Sequence, residues 1–149
     1  VGTQLMCLQE IGFTWLYGIE LQYYAIKDSN SRTRNIHLIQ GSIFNIPCKD
    51  RYFDLVFTSG VLIHIHPNDI KKALSEIYRC TRQYIWGYEF YSDTYEEILY
   101  RGKKNILWKT NFAKLYLNQF SNLTVVKEKK LKYLDNENVD SMFLLEKRS

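Results

Sequence analysis

Between Tyr52 and Pro67 the chain reads Tyr-Phe-Asp-Leu-Val-Phe-Thr-Ser-Gly-Val-Leu-Ile-His-Ile-His-Pro, a run that changes character halfway along. Phe53 to Phe57 is a short apolar run carrying one Asp, the pattern of a strand buried on both faces of a parallel sheet. Thr58, Ser59 and Gly60 then bring hydroxyls and a permissive backbone to the strand's carboxyl end. In open α/β sheets this is the edge where ligands bind. Beyond Pro67, Asn68 and Asp69 are expected to cap a helix running to about Cys80.

Upstream, Leu5, Met6, Leu8 and Ile11 recur at helical spacing, with Thr3 as an expected cap and Gly12 as the stop. Trp15 to Ile19 reads as a short buried strand that finishes at Glu20. Leu21 to Lys27 reads as a second helix, broken by the polar loop Asp28 to Arg32. Ile36 to Ile39 is the next strand, and Gly41 turns it.

Downstream, Gln83 to Gly87 alternates as a strand that Tyr88 to Tyr91 extend with aromatic and acidic groups. Thr94 to Tyr100 is expected to form a helical turn, and Arg101 to Lys104 a basic turn. Asn111 caps a helix to about Gln119. Leu123 to Glu128 and Met142 to Glu146 read as an antiparallel pair joined by a polar turn at Asp135 to Asn138. The alternation of helices and strands implies an α/β fold, a mostly parallel sheet with helices on both faces, closed by an antiparallel hairpin.

The 149 residues suit one domain spanning 1–149, and 46% hydrophobic with 24% charged residues is the balance of a globular protein. No apolar run reaches the length of a membrane span and no signal peptide is recognised, so a cytoplasmic location is expected. Cys7, Cys48 and Cys80 are odd in number and widely spaced, which points to free thiols. From Arg101 onward eleven Lys and Arg face five Asp and Glu, whereas residues 1 to 100 hold nine against eleven. Such asymmetry suits either an anionic partner or an ordinary solvated surface.

Taken together, these segments resemble a class I S-adenosylmethionine-dependent methyltransferase. Val1-Gly2-Thr3 resembles the end of that family's Gly-rich turn after its first strand. Glu20 matches the acidic residue ending the second strand, Gly41-Ser42-Ile43 the turn after the third, and Tyr52 to Ile65 the fourth-strand motif. The chain begins with Val1-Gly2 rather than Met, and the resemblance implies that the family's first strand is missing from it. That strand lies between those ending at Glu20 and Thr58, so its loss should leave backbone groups unpaired, stability low and cofactor binding weak. A narrower similarity, to methylases associated with pseudaminic acid biosynthesis, rests on Tyr100-Arg101-Gly102, Leu107 to Phe112 and the strand Asp140 to Lys147.

The resemblance implies S-adenosylmethionine as cofactor, held by Gly2, Glu20, Ser42, Ile43, Ser59 and Gly60. A carboxylate at a strand's end, such as Glu20, can accept from both ribose hydroxyls, although it can equally cap the next helix. Ser42 stands where many relatives carry Asp, so adenine recognition is expected to lean on backbone amides and on Ile43 and Phe44. His64, with a side chain that titrates near neutrality, is the candidate catalytic base, and packing beside the site is its bland alternative. His64 and His66 form a His-x-His pair without further ligands, which argues against a metal site. Glu89, Tyr91 and Arg101 are candidate substrate contacts, Arg101 by a two-bond fork to a carboxylate.

The expected function is methyl transfer to a small molecule, such as a sugar or nonulosonic acid precursor. The alternatives are an RNA or protein methyltransferase, a dinucleotide-binding oxidoreductase that would use Glu20 in the same way, and a noncatalytic homologue. The expectation that decides among them is spatial: the tips bearing Glu20, Ser42 and Ser59 should converge on one cleft.

Overall fold

Ile70, Ala73, Leu74, Ile77 and Cys80 recur three and four residues apart, and all five are buried, so they form the single apolar stripe of a helix. Each fully buried Leu or Ile on such a stripe contributes about 2 kcal/mol. The computed structural model describes residues 2–30 and 35–148, with the backbone alone for 28–30. Of the expected polar loop Asp28 to Arg32, residues 28–30 are helical instead, while Ser31 and Arg32, and Val1 of the expected Gly-rich turn, lie outside the described residues. The chain divides into two compact units, Val1–Pro47 and Cys48–Ser149.

The first unit runs α1 (Thr3–Glu10), β1 (Leu16–Glu20), α2 (Tyr23–Asn30) and β2 (Ile36–Gln40). β1 and β2 pair in parallel, with Leu16 opposite Ile36 and Glu20 opposite Gln40. A parallel pair of neighbouring strands needs a crossover, and α2 supplies it. Gly18 permits close packing here, since a Cβ at that position would lie 2.7 Å from Leu38 Cδ2 and 3.0 Å from Leu5 Cδ1. Thr3 does not cap α1; the cap position is Gly2, at φ 81°, and it makes no side-chain bond. Leu5, Leu16, Ile26 and Ile36 are buried, while Phe13, Trp15, Tyr23 and Tyr24 are exposed.

The second unit begins with β3 (Phe53–Ser59), a 3-10 turn at Leu62–His64, α3 (Ile70–Cys80) and β4 (Thr81–Phe90). It continues with β5 (Glu96–Glu97), β6 (Trp108–Lys109), α4 (Phe112–Gln119), β7 (Leu123–Lys132) and β8 (Val139–Lys147). Its four-stranded sheet has the order β3-β4-β8-β7. β3 and β4 are parallel, and β8 runs antiparallel to both β4 and β7. β8 is therefore inserted between its hairpin partner and β4, and it alone runs against the other three strands. This is the α/β sheet expected, mostly parallel with an antiparallel C-terminal hairpin.

Three local expectations need correction. The cap of α3 is Asp69, without a side-chain bond; instead the His66 carbonyl accepts from the amides of Asp69 and Ile70, at 2.9 and 3.1 Å. Thr94 to Tyr100 is not helical: Glu96 and Glu97 pair antiparallel with Lys109 and Trp108. β3 is not buried on both faces, for Asp54 and Leu55 are exposed and its described strand partner is β4 alone. Asn111 caps α4 as expected, its Oδ1 accepting from the Lys114 amide at 2.9 Å.

Candidate functional site

The carboxyl ends of β3 and β4 lie side by side because the two strands run in parallel, with Ser59 opposite Tyr88. Gly60 prolongs the pairing by donating its amide to the Tyr88 carbonyl at 2.9 Å, and it does so at φ 62°, a left-handed conformation natural to glycine. Above these ends is a cavity of about 210 Å³. Ser59, Gly60 and Glu89 line it together with Tyr88, Phe90, Tyr133 and Asp140. The structure thus brings three of the expected site residues to one place.

Alternation along β4 puts Ile85, Gly87 and Glu89 on its buried face. Glu89 is 2% exposed, and its carboxylate accepts from the amides of Val61 at 3.2 Å and Ile63 at 3.4 Å. The Leu62 amide and the Thr58 hydroxyl also donate to it. Burial pushes its pKa up to about 7, against the opposing pull of those four donors. Glu89 therefore fastens the turn after β3 while still lining the cavity. On α4, burial first and the charge of Glu89 second hold the Tyr116 phenol well above its usual range.

Asp140, Tyr88 and Tyr133 were not singled out by the sequence patterns. β8 places Asp140 opposite Phe90, 3% exposed, where the hydroxyls of Tyr88 and Tyr133 both hydrogen-bond to it. The bond to Asp140, with burial second, pushes the Tyr88 phenol up to about 12. An acid at the start of the closing strand was the one available signal.

The other expected residues of this unit lie apart from the cavity lining. His64 ends the 3-10 turn, exposed, and its Nδ1 donates to the Ile106 carbonyl at 3.1 Å, which leaves Nε2 as the acceptor in the neutral ring. The hydroxyl of Tyr91 donates to Asp93, and the Lys130 ammonium sits 3.2 Å from its ring centre. Arg101 is exposed at φ 49° in the turn Tyr100–Lys103, with its guanidinium 5.2 Å from the Tyr100 ring. Among the described residues no three His, Cys, Asp or Glu side chains gather as a metal-binding group. Nor is any described helix long and apolar enough to cross a membrane.

In the first unit, Glu20 ends β1 half-exposed, and its Oε1 accepts from the Gln22 amide at 3.0 Å. A carboxylate has about four acceptor sites, so it keeps the capacity to take two ribose hydroxyls. Gly2 turns at φ 81° with open space where a Cβ would stand. The Ser42 hydroxyl is engaged by the Phe44 amide at 3.2 Å, so the turn uses part of its bonding capacity. An exposed-edge carboxylate, a glycine turn with free space and half-buried Ile43 fit an adenosyl group.

A family model described as a methyltransferase domain matches residues 1–84. The chain belongs to this methyltransferase family. It is a class I, S-adenosylmethionine-dependent enzyme, and S-adenosylmethionine is its cofactor. That assignment sets aside the oxidoreductase alternative. No curated protein matches the sequence. Solved structures do share the fold. One is the Burkholderia thailandensis 1,6-didemethyltoxoflavin-N1-methyltransferase with bound 1,6-didemethyltoxoflavin and S-adenosylhomocysteine. It is 14% identical, with TM-score 0.78 over 99% of this methyltransferase and 67% of that chain. A second is a SAM-dependent methyltransferase from Methanosarcina mazei, 12% identical, with TM-score 0.78 over 99% and 88%. A third is the (4+2)-cyclase SpnF, 9% identical, with TM-score 0.73 over 99% and 71%. At these identities the likeness is one of fold, and the cyclase shows that the fold alone does not name the reaction.

Proposed function

We propose that residues 1–149 act as one methyltransferase domain that methylates a small molecule. The observation that carries the size of the acceptor is the cavity at the ends of β3 and β4, about 210 Å³ and walled by Tyr88, Phe90 and Tyr133. That volume holds a single ring and is below the roughly 300–1,000 Å³ of common drug-sized sites. For the cofactor, Glu20 is proposed to take the ribose hydroxyls, Gly2 to lie beside the methionine end, and Ser42 and Ile43 to meet the adenine.

S-adenosylmethionine supplies an already activated methyl group, so the protein's share of the work is alignment and, where the acceptor is protonated, proton removal. Ser59 and Gly60 shape the floor on which the acceptor rests. Glu89 keeps that floor in place through the amides of Val61 to Ile63. His64 is the proposed base, acting through Nε2 once Nδ1 is committed to Ile106.

A sugar or nonulosonic acid precursor is the narrower proposal; it is supported by the resemblance at 100–112 and 140–147 and would use Arg101 on a carboxylate. A second reading, methylation of RNA or protein, is favoured by the open cleft at the other end of β4, where Arg51, Arg82, Lys147 and Arg148 outnumber the one described acid, Glu146.

Isothermal titration with S-adenosylhomocysteine tests the cofactor proposal: saturable one-to-one binding is expected, and no heat at millimolar ligand would end it. Methyl transfer to RNA that weakens steeply with salt would favour the second reading.

A further inference from the structure

The charges and hydrogen-bond donors around the cavity do not match those expected for an acidic acceptor. Among the described residues its lining carries two buried carboxylates, Asp140 and Glu89, and neither Lys nor Arg. Tyr88 and Tyr133 both spend their hydroxyl protons on Asp140, so they turn toward any ligand as phenol oxygens, which accept. Lys130, on β7, is engaged elsewhere: it lies over the Tyr91 ring and bonds Glu128 and Ser141. The cavity offers acceptors, negative charge and three aromatic faces, with Phe90 and Tyr133 meeting edge to face at 6.0 Å.

We infer that this cavity binds the acceptor substrate by a protonated amino group on a small ring, anchored by Asp140 and flanked by Tyr88, Phe90 and Tyr133. This rests on the small-molecule methyltransferase reading and names the substrate class within it. A cation gains on both counts, from charge-assisted bonds to a carboxylate and from the negative faces of aromatic rings in a partly dry site. A neutral alcohol gains only ordinary hydrogen bonds, and a carboxylate meets like charge. The amino group in this role is an anchor; the atom that is methylated is a separate question.

The test uses three probes of one shape, benzylamine, benzyl alcohol and benzoate, titrated against the protein at pH 7.5 by ligand-observed NMR, with S-adenosylhomocysteine affinity measured alongside. Benzylamine is expected to bind at least tenfold more tightly than either analogue. Asp140→Asn, nearly isosteric, is expected to cut that preference to under threefold while changing S-adenosylhomocysteine affinity by less than twofold. If Asp140→Asn does not fold, Tyr133→Phe decides: it keeps the aromatic wall and frees the carboxylate of one donor, so the preference for the amine should hold or rise. Benzoate or the alcohol binding as well as the amine overturns the inference, and so does an amine preference that survives Asp140→Asn or is lost in Tyr133→Phe. Loss of S-adenosylhomocysteine binding together with the amine would assign the cavity to the cofactor and also overturn it. A native protein that binds no S-adenosylhomocysteine fails the proposed function, and the amine comparison still reads the cavity.

Discussion

Two glutamates stand at the carboxyl ends of two strands, each paired in parallel with a neighbour of its own, and their surroundings make them different chemical groups. Glu20, at the end of β1, is half-exposed and receives one backbone bond, from Gln22 two residues on. Glu89, near the end of β4, is 2% exposed and receives donors from Thr58 and from the turn Val61 to Ile63. The chain after β1 passes straight into α2, so solvent reaches Glu20. The turn after β3 aims a row of amides at Glu89. A carboxylate at a strand tip is therefore open to a ligand in proportion to the acceptor sites that the backbone leaves it: Glu20, with one amide bond at Oε1 and solvent around it, keeps such sites, whereas Glu89 is held by the turn that it positions.

The sharpest way to break this contrast is to remove the buried member. Glu89→Ala at pH 5, where the native carboxyl is largely protonated yet still accepts, should cost about 3 kcal/mol, because several buried amides lose their acceptor. The sign of the pH effect is set by the raised pKa. Glu89 ionises near its ordinary 4.5 in the unfolded chain and at about 7 when folded. Between those values the folded protein holds the extra proton, so native stability falls as pH rises through that window, by about 3 kcal/mol at 1.36 kcal/mol per pH unit. The variant lacks this slope, and the gap between the two should narrow from pH 5 to pH 8 in urea melts. A gap independent of pH would show that Glu89 is not the buried acid described.

A smaller effect is expected two residues earlier. A Cβ at Gly87 would lie 2.1 Å from Phe143 Cζ, and Phe143 is 1% exposed. Gly87→Ala should cost about 2 kcal/mol by overpacking, and it should weaken benzylamine binding by shifting the tip that carries Tyr88 and Glu89. A thermal midpoint unchanged within error would show that β4 can yield at this point. At the exposed member, Glu20→Gln should leave stability within about 0.5 kcal/mol, as surface changes do. It should weaken S-adenosylhomocysteine roughly tenfold, the loss of one charge-assisted pair. Unchanged affinity in calorimetry would remove Glu20 from the cofactor site.

Glu20 was legible as the end of β1 because its signal is local: an apolar run, then an acid, then a helix. β3, α3 and α4 were legible for the same reason, since Ile70 to Cys80 repeat with helical period and Asn111 caps the helix that begins at Phe112. Glu89 was visible as a tip residue, but its role was not, because the amides that claim it belong to residues 26 to 28 positions earlier. The place of Asp140 in the cavity lining was invisible because it arises only when β8 slips between β4 and β7, setting residue 140 against residue 90. The hairpin of Glu96–Glu97 with Trp108–Lys109 was misread because a two-residue strand has no measurable period. Tyr95, Ile98 and Leu99, three and four residues apart, imitate one helical face.

The smallest expected effect carries the choice between the two acceptor chemistries. If the acceptor's carboxylate were held by Arg101 in a two-bond fork, Arg101→Ala should weaken an acidic substrate by about 2 kcal/mol, or roughly thirtyfold. Arg101 instead is exposed on the turn between β5 and β6, rests on Tyr100 and is absent from the cavity wall. Its removal should therefore change benzylamine affinity by less than twofold and stability by under about 0.5 kcal/mol. The informative comparison is with Asp140→Asn in the same titration. A large loss at Asp140 with none at Arg101 puts the anchoring charge inside the cavity, on the acid. The reverse would mean that the turn folds over the bound acceptor, and that recognition begins from the basic side of the site.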